Sequence, residues 1–478
     1  MKMRLEKDSL GQFDVPFYAY YGIQTQRAVE NYPISGYRAH SQLIRAIGMI
    51  KKAAATANLE LKLIGTRRAK AIQRAAEEVI EGKWDREFVV DVYQAGAGVS
   101  FHMNANEVIA NRAIEFLGGE RGDYSLCHPN DHVNCSQSTN DVFPTAMRLA
   151  TVFLFDEVLL EVAELAKSFS RKASVFDRIL KSGRTHLMDA VPIRLGQEFA
   201  AYATSMRRCE GFLEYAVGVL KEVGLGGSAV GTGVNTHPKF QKLVVKHLSK
   251  ISGQSLRPTD DLRYAMQSNL AMSVASSALR NLALELIRIS NDLRLLSSGP
   301  NTGLAEIELP ALQPGSSIMP GKINPVMAEL TAMVGFQAIG ADMVTAMAVQ
   351  AGQLELNVMM PAMAWNVLHS AEILKNTMQV LATKCVDGVS AKEERCRYYA
   401  NVTISIAAAL NPYIGYAAAA EIAKESVKTG RPVAEIALER NLLDEGTMRK
   451  ILDPMRMTTP AAPIKQDMRR VKRKTGKS

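Results

Sequence analysis

Between Pro314 and Pro325 the chain reads Pro-Gly-Ser-Ser-Ile-Met-Pro-Gly-Lys-Ile-Asn-Pro. Ser316, Ser317, Lys322 and Asn324 bring two hydroxyls, one amine and one amide into nine residues. Gly and Pro at both ends exclude helix and regular strand. Gly315 and Gly321 are expected to supply backbone angles that other residues avoid and to hinge a moving lid. A Gly/Pro/Ser-rich dozen is ordinarily a surface turn. Ile318, Met319 and Ile323 are apolar where such a turn would be polar.

Two further clusters carry the same kinds of group. Ser138-Thr139-Asn140-Asp141 opens a long helical pattern that runs to about Phe176. All four are preferred capping residues, but one helix end needs one cap. The surplus hydroxyls at the positive end of a helix suit a carboxylate. The second cluster is Gly183-Arg184-Thr185-His186-Leu187-Met188-Asp189, ahead of a helix at about 195–223. A lone histidine is ordinarily a structural hydrogen-bonding group; Thr185 beside His186 weighs the other way. A Gly-rich turn, Gly96-Ala97-Gly98, precedes a helical run through Glu115 and can present N–H groups to an anion. GxGxxG and the Walker lysine are absent, so a nucleotide site is not expected.

The elements that must position these groups are helices. The chain has 478 residues, is 47% hydrophobic but only 6% aromatic, and contains 22 Met, which favours packed helices over sheets. Residues 1–40 read as an irregular arm with short strands at most, and 41–64 and 68–81 as helices. Leu279, Leu282, Leu286, Ile289, Leu293 and Leu296 are spaced 3,4,3,4,3, which is a bundle seam. The helix predicted over Val326 to Gln353 is apolar on nearly every side and must be surrounded by protein, some of it from other subunits. From about Arg395 shorter helices form a small C-terminal domain. The division expected is 1–137, a central helix bundle 138–394, a C-terminal helical domain 395–464 and a basic disordered tail 465–478.

The tail holds seven Lys/Arg against one acid, and without it the formal charge falls from +9 to +3. The basic balance is therefore mostly a solvated end, and no nucleic-acid partner is expected. Five cysteines without CxxC, and a charged N-terminus without a signal pattern, point to a reduced, cytoplasmic protein. No uninterrupted run reaches 18 apolar residues, so no membrane partner is expected. His and Cys residues lack ligand spacing, and neither metal nor organic cofactor is implied.

The loop at Ser316, the Ser138-Thr139-Asn140-Asp141 cluster and Arg184-Thr185-His186-Leu187 stand in the order seen in the aspartase/fumarase superfamily, which the chain resembles over roughly residues 5–460. That resemblance implies an all-α fold, three domains with a long central helix bundle, and a homotetramer whose sites are each built from three subunits. It implies elimination of ammonia, water or an amine from a dicarboxylate or amino-acid substrate. Ser316 would be the catalytic base. Ser138, Thr139 and Ser317 would meet the charge of an aci-carboxylate. Lys322, Asn324 and Thr185 would hold the other carboxylate, and Asn140 and His186 the amino group.

Within the superfamily the chain looks most like the aspartate ammonia-lyases. It has Ser-Thr-Asn-Asp where fumarases usually have Ser-Ser-Asn-Asp, and Glu355-Leu356-Asn357-Val358-Met359 beyond the loop. It departs from that branch at Val99 (a substrate-contacting Thr there), His102 (Asn), Met188 (Gln), Asn301 (Arg) and Met360 (Glu). Val99, Met188 and Met360 would suit a bulkier, less polar group, so an ergothionase-like carbon–nitrogen lyase stands beside the aspartate reading. Fumarase and a non-catalytic assembly protein are the remaining alternatives; intact Ser316, Lys322 and Asn324 weigh against the last.

Overall fold

A computed structural model describes residues 2–464, so the basic tail expected at 465–478 lies outside the described residues. The chain is all-α apart from short strand pairs. Strands β1 (Met3–Asp8) and β2 (Gly11–Pro16) form an antiparallel hairpin. Helices α1 (Ile23–Asn31), α2 (Ser41–Glu60), α3 (Thr66–Ile80), α4 (Val99–Phe116) and α5 (Thr139–Val175) follow. Strands β3 (Leu180–Thr185) and β4 (Met188–Arg194) then pair, ahead of α6 (Leu195–Leu220), α7 (Phe240–Ser252), α8 (Leu262–Gln267), α9 (Leu270–Leu296), α10 (Val326–Gln350) and α11 (Met360–Lys384).

The fold divides into two compact units, and the chain crosses from one to the other inside α5, α6, α9, α10 and α11. The first unit holds the described residues up to Val162, Arg208–Leu286 and Ala332–Thr377; the second holds Ala163–Arg207, Ile287–Thr331 and the described residues from Met378. In the first, α2 packs along α3 and α7, and α3 along α4. Helix α4 is enclosed almost completely from Phe101 to Ile114. It can start where it does because Gly98 has φ +91° and lies under Phe143; a Cβ there would stand 2.3 Å from the ring. In the second unit the short helices after Glu393 share a core built from Ile406, Leu410, Ile422, Val433, Ile436 and Met448.

All six members of the 279–296 seam are buried, as the spacing predicts. Helix α10 is less simple. Its small residues Ala328, Ala338, Ala341, Thr345 and Ala348 are buried, while Met333, Phe336, Met343 and Met347 are 60–64% exposed. The large apolar side chains thus point away from this chain's own core. By length and composition α9 and α10 are apolar enough to cross a membrane; the buried seam accounts for α9.

Candidate functional site

Ser138 caps α5. Its backbone N–H donates to Asp141 Oδ1 at 2.9 Å, and its Oγ accepts from the Asn140 N–H at 3.3 Å. This is a capping box with Asp in the third helical position. Asp141 is fully buried, and Oδ2 also accepts from Gly226 N–H and Ser228 N–H at 2.9 and 3.0 Å. Burial pushes its carboxyl up to about 6, against the pull of those N–H groups and Lys51. The expected surplus is therefore divided. Ser138 and Asp141 do the capping, while Thr139 and Asn140 turn elsewhere. Asn140 Nδ2 donates to the Ala229 carbonyl at 2.7 Å, and Thr139 Oγ1 lies 2.7 Å from His102 Nδ1.

His102 leads to a group that sequence reasoning missed. Its Nε2 lies 2.6 Å from Lys51 Nζ, which also donates to Asn134 Oδ1 at 3.0 Å and Gln137 Oε1 at 2.9 Å. Lys51 is fully buried and His102 is 1% exposed. Burial holds both well below their ordinary ranges, with Asp141 opposing the shift at Lys51. The signal was present in the pattern: Lys51 falls four residues after Ile47 and three before Ala54, on the buried stripe of α2. A lysine there is buried and must be satisfied by polar partners. Val99, in the first turn of α4, is 41% exposed.

In the second unit, the Arg184 cluster is the tip of a β-hairpin ahead of α6. His186 and Leu187 are its two turn residues, with φ of +57° and +60°. That geometry ordinarily belongs to Asn-Gly, so the chain stores strain of roughly 1–3 kcal/mol per residue here. Thr185 and His186 are held out as exposed side chains by this turn. The strand below is anchored by a buried ion network. Glu306 accepts from Arg184 Nη1 at 2.9 and 3.0 Å and pairs with Lys181 Nζ at 3.1 Å.

The Pro314–Pro325 loop is closed on itself. Gly315 N–H donates to the Lys322 carbonyl at 2.8 Å, Asn324 Nδ2 to the Gly315 carbonyl at 2.7 Å, and Lys322 Nζ to Asn324 Oδ1 at 2.5 Å. Ser316 Oγ accepts two backbone N–H groups, from Ile318 at 3.2 Å and Met319 at 3.0 Å. Only Gly321 has the positive φ expected of both glycines. Gly315 is required for another reason: a Cβ would stand 2.5 Å from the Lys322 carbonyl oxygen. Ser317, Ile318, Met319 and Lys322 are exposed, and Ser316 and Asn324 half-buried. Of the departures from the aspartase pattern, Met188 and Asn301 are exposed, whereas Met360 is buried.

The candidate residues stand at three loci: a helix cap backed by a buried amine and imidazole, a strained hairpin tip, and a loop whose serine oxygen receives two N–H groups. Each offers hydrogen-bonding groups of the kind that can bind a carboxylate. Residues 11–340 match the family described as Lyase, and residues 406–459 the family described as Fumarase C C-terminus. The chain is 48% identical to an aspartate ammonia-lyase of Bacillus subtilis (strain 168), covering 96% of each chain. It is also 48% identical to a class II fumarate hydratase of Halobacterium salinarum, covering 95% of this chain and 97% of that one. Among solved structures, a fumarate lyase:delta crystallin from Brucella melitensis bound to cobalt superposes with a TM-score of 0.93 at 48% identity, covering 96% of this chain and all of that one.

Proposed function

The chain belongs to the aspartase/fumarase superfamily of lyases, and on that premise we propose that it eliminates ammonia from L-aspartate to give fumarate. The intact set Ser316, Lys322 and Asn324 in the closed loop, with Ser316 Oγ receiving two N–H groups, supports a lyase, and the observation that carries the choice of aspartate is the similarity to aspartate ammonia-lyases along nearly the whole chain. A serine is far too weak a base at neutral pH unless its alkoxide is stabilised, and donors aimed at the oxygen do that. Ser316 Oγ takes a proton from C3 of aspartate, leaving a dianionic aci-carboxylate. Ser138, Thr139 and Ser317 donate to that group. The electron pair then returns to form the C2–C3 double bond as the C2–N bond breaks. Asn140 and His186 hold the departing amine, and Lys322, Asn324 and Thr185 hold the second carboxylate. No metal or organic cofactor enters this scheme.

The test is absorbance at 240 nm, which reports fumarate, on mixing purified chain with aspartate and, separately, with malate. Fumarate from aspartate is the expected result. Fumarate from malate alone would favour the hydratase reading that the Halobacterium relative supports. Val99→Thr is expected to raise kcat/KM for aspartate on the order of tenfold, through one added hydrogen bond in nearly the same volume. A lower kcat/KM for this variant would refute the role given to position 99.

The same reading makes the protein a cytoplasmic homotetramer with each site drawn from three subunits, and keeps the domain division at 137, 394 and 464. The outward Met333, Phe336, Met343 and Met347 of α10 support assembly, since each large apolar side chain gains about 1.5–3 kcal/mol on burial. Phe336→Glu is expected to shift the sedimentation profile to smaller species and to abolish turnover. A monomeric wild-type chain at micromolar concentration would defeat the shared-site scheme.

A further inference from the structure

We propose that His102, gripped by Lys51, is a positioning residue that sets the hydrogen-bond polarity of Thr139 toward a ligand carboxylate. The inference rests on the carboxylate-binding role given to Thr139 above. Thr139 Oγ1 has one hydrogen, and His102 Nδ1 at 2.7 Å decides where it points. Behind the ring, Lys51 Nζ meets three partners: His102 Nε2, Asn134 Oδ1 and Gln137 Oε1. The Asn134 amide is oriented by its Nδ2, which donates to the Gln137 carbonyl, and the Gln137 amide by its Nε2, which donates to the Val133 and Cys135 carbonyls. Both side-chain oxygens are thereby left for Lys51.

Two proton arrangements satisfy this geometry. With Lys51 an ammonium, its three hydrogens go to Asn134, Gln137 and His102 Nε2. The ring then carries its proton on Nδ1 and donates it to Thr139 Oγ1, freeing the threonine hydrogen for an incoming carboxylate. With Lys51 a neutral amine, its lone pair accepts from His102 Nε2–H. The ring Nδ1 then accepts from Thr139, whose outward side offers lone pairs only and repels a carboxylate. A buried chain of three groups thus turns a hydroxyl from donor to acceptor. The charged neighbour facing the chain is Asp141, which favours the ammonium form. Burial works against it, so the switch falls below the ordinary lysine range. As pH rises, carboxylate binding weakens; at lower pH the donor form is complete.

The probe is succinate, a dicarboxylate with no amine to titrate, with binding measured by calorimetry between about pH 6.5 and 9 for the full-length chain. Wild type is expected to bind more weakly as pH rises. His102→Phe takes away the partner that fixes the threonine hydrogen and leaves the hydroxyl free to donate, so it should stay within about threefold of wild type at neutral pH and should lose this pH slope. His102→Gln presents one acceptor and one donor in place of the two ring nitrogens, so it should stay within about threefold of wild type; this variant guards against a misfolded phenylalanine form. Thr139→Val removes the hydroxyl itself, so it should weaken binding about tenfold and lose the slope whether or not His102→Phe is present. An unchanged slope in His102→Phe, a slope that survives in Thr139→Val, or no succinate binding by wild type would overturn the inference. Wild type that binds succinate with this slope but forms no fumarate from aspartate would overturn the lyase reading and leave the inference standing.

Discussion

Ser316→Ala is expected to lower kcat for aspartate at least ~10²-fold, the usual scale for loss of a positioned base. The change removes one oxygen that accepts N–H groups from Ile318 and Met319. Both donors sit in an exposed part of the loop, where water replaces the lost acceptor, so the cost to stability is small. The bonds that close the loop, Gly315 to Lys322 and Asn324 to Gly315, do not involve that oxygen. Substrate affinity and assembly should therefore persist while turnover collapses. Steady-state assays at 240 nm, with sedimentation and melting curves as controls, decide the matter. A kcat within threefold of wild type would remove Ser316 from the mechanism.

The second large effect is on stability. Glu306 is fully buried, and so are its two cationic partners in the main: Lys181 is 2% and Arg184 13% exposed at the side chain. Glu306→Ala leaves both charges without their carboxylate, although Lys181 retains Glu198 at 2.8 Å. Breaking one side of a buried ion network costs roughly 3–5 kcal/mol, because the remaining charge stays desolvated. The backbone at 306 is held independently, since its carbonyl accepts from Lys392 N–H at 2.9 Å and Cys396 Sγ at 3.4 Å. The loss should therefore appear as a lower urea midpoint rather than a rearranged fold. It should also reduce turnover, because Arg184 sits two residues before His186 and anchors the strained hairpin tip. A midpoint change worth less than about 1 kcal/mol would mean the network is not structurally important.

Much of this molecule is determined by local order along the chain. The 3,4,3,4,3 spacing of Leu279 to Leu296 forces a buried seam, because residues so spaced share one face of a helix. Pro and Gly around Ser316 forbid helix, and Ser-Thr-Asn-Asp must start one. These are constraints of neighbours, so the residues that carry them can be read in order. The sequence also shows a capping surplus, since one helix end needs one cap and four capping residues stand in a row. What tertiary structure alone decided is which of the four do the capping. Thr139 turns to His102 and Asn140 to Ala229 because α4 and the glycine-rich connection at 224–233 pass that helix end, and their distance along the chain hides this. Lys51 becomes an amine buried against an imidazole only when α2 and α4 meet. Gly315 needs no unusual φ; it is glycine because the Lys322 carbonyl returns to within reach of its Cα. His186 gave no sign of its left-handed backbone, since nothing in a His-Leu pair favours that turn and only the β3–β4 pairing on either side imposes it. The apolar periodicity of α10 predicted a helix covered by protein, but which side groups face inward was settled by size: alanines and threonines allow the close approach within the chain, and the methionines and Phe336 are left outside it.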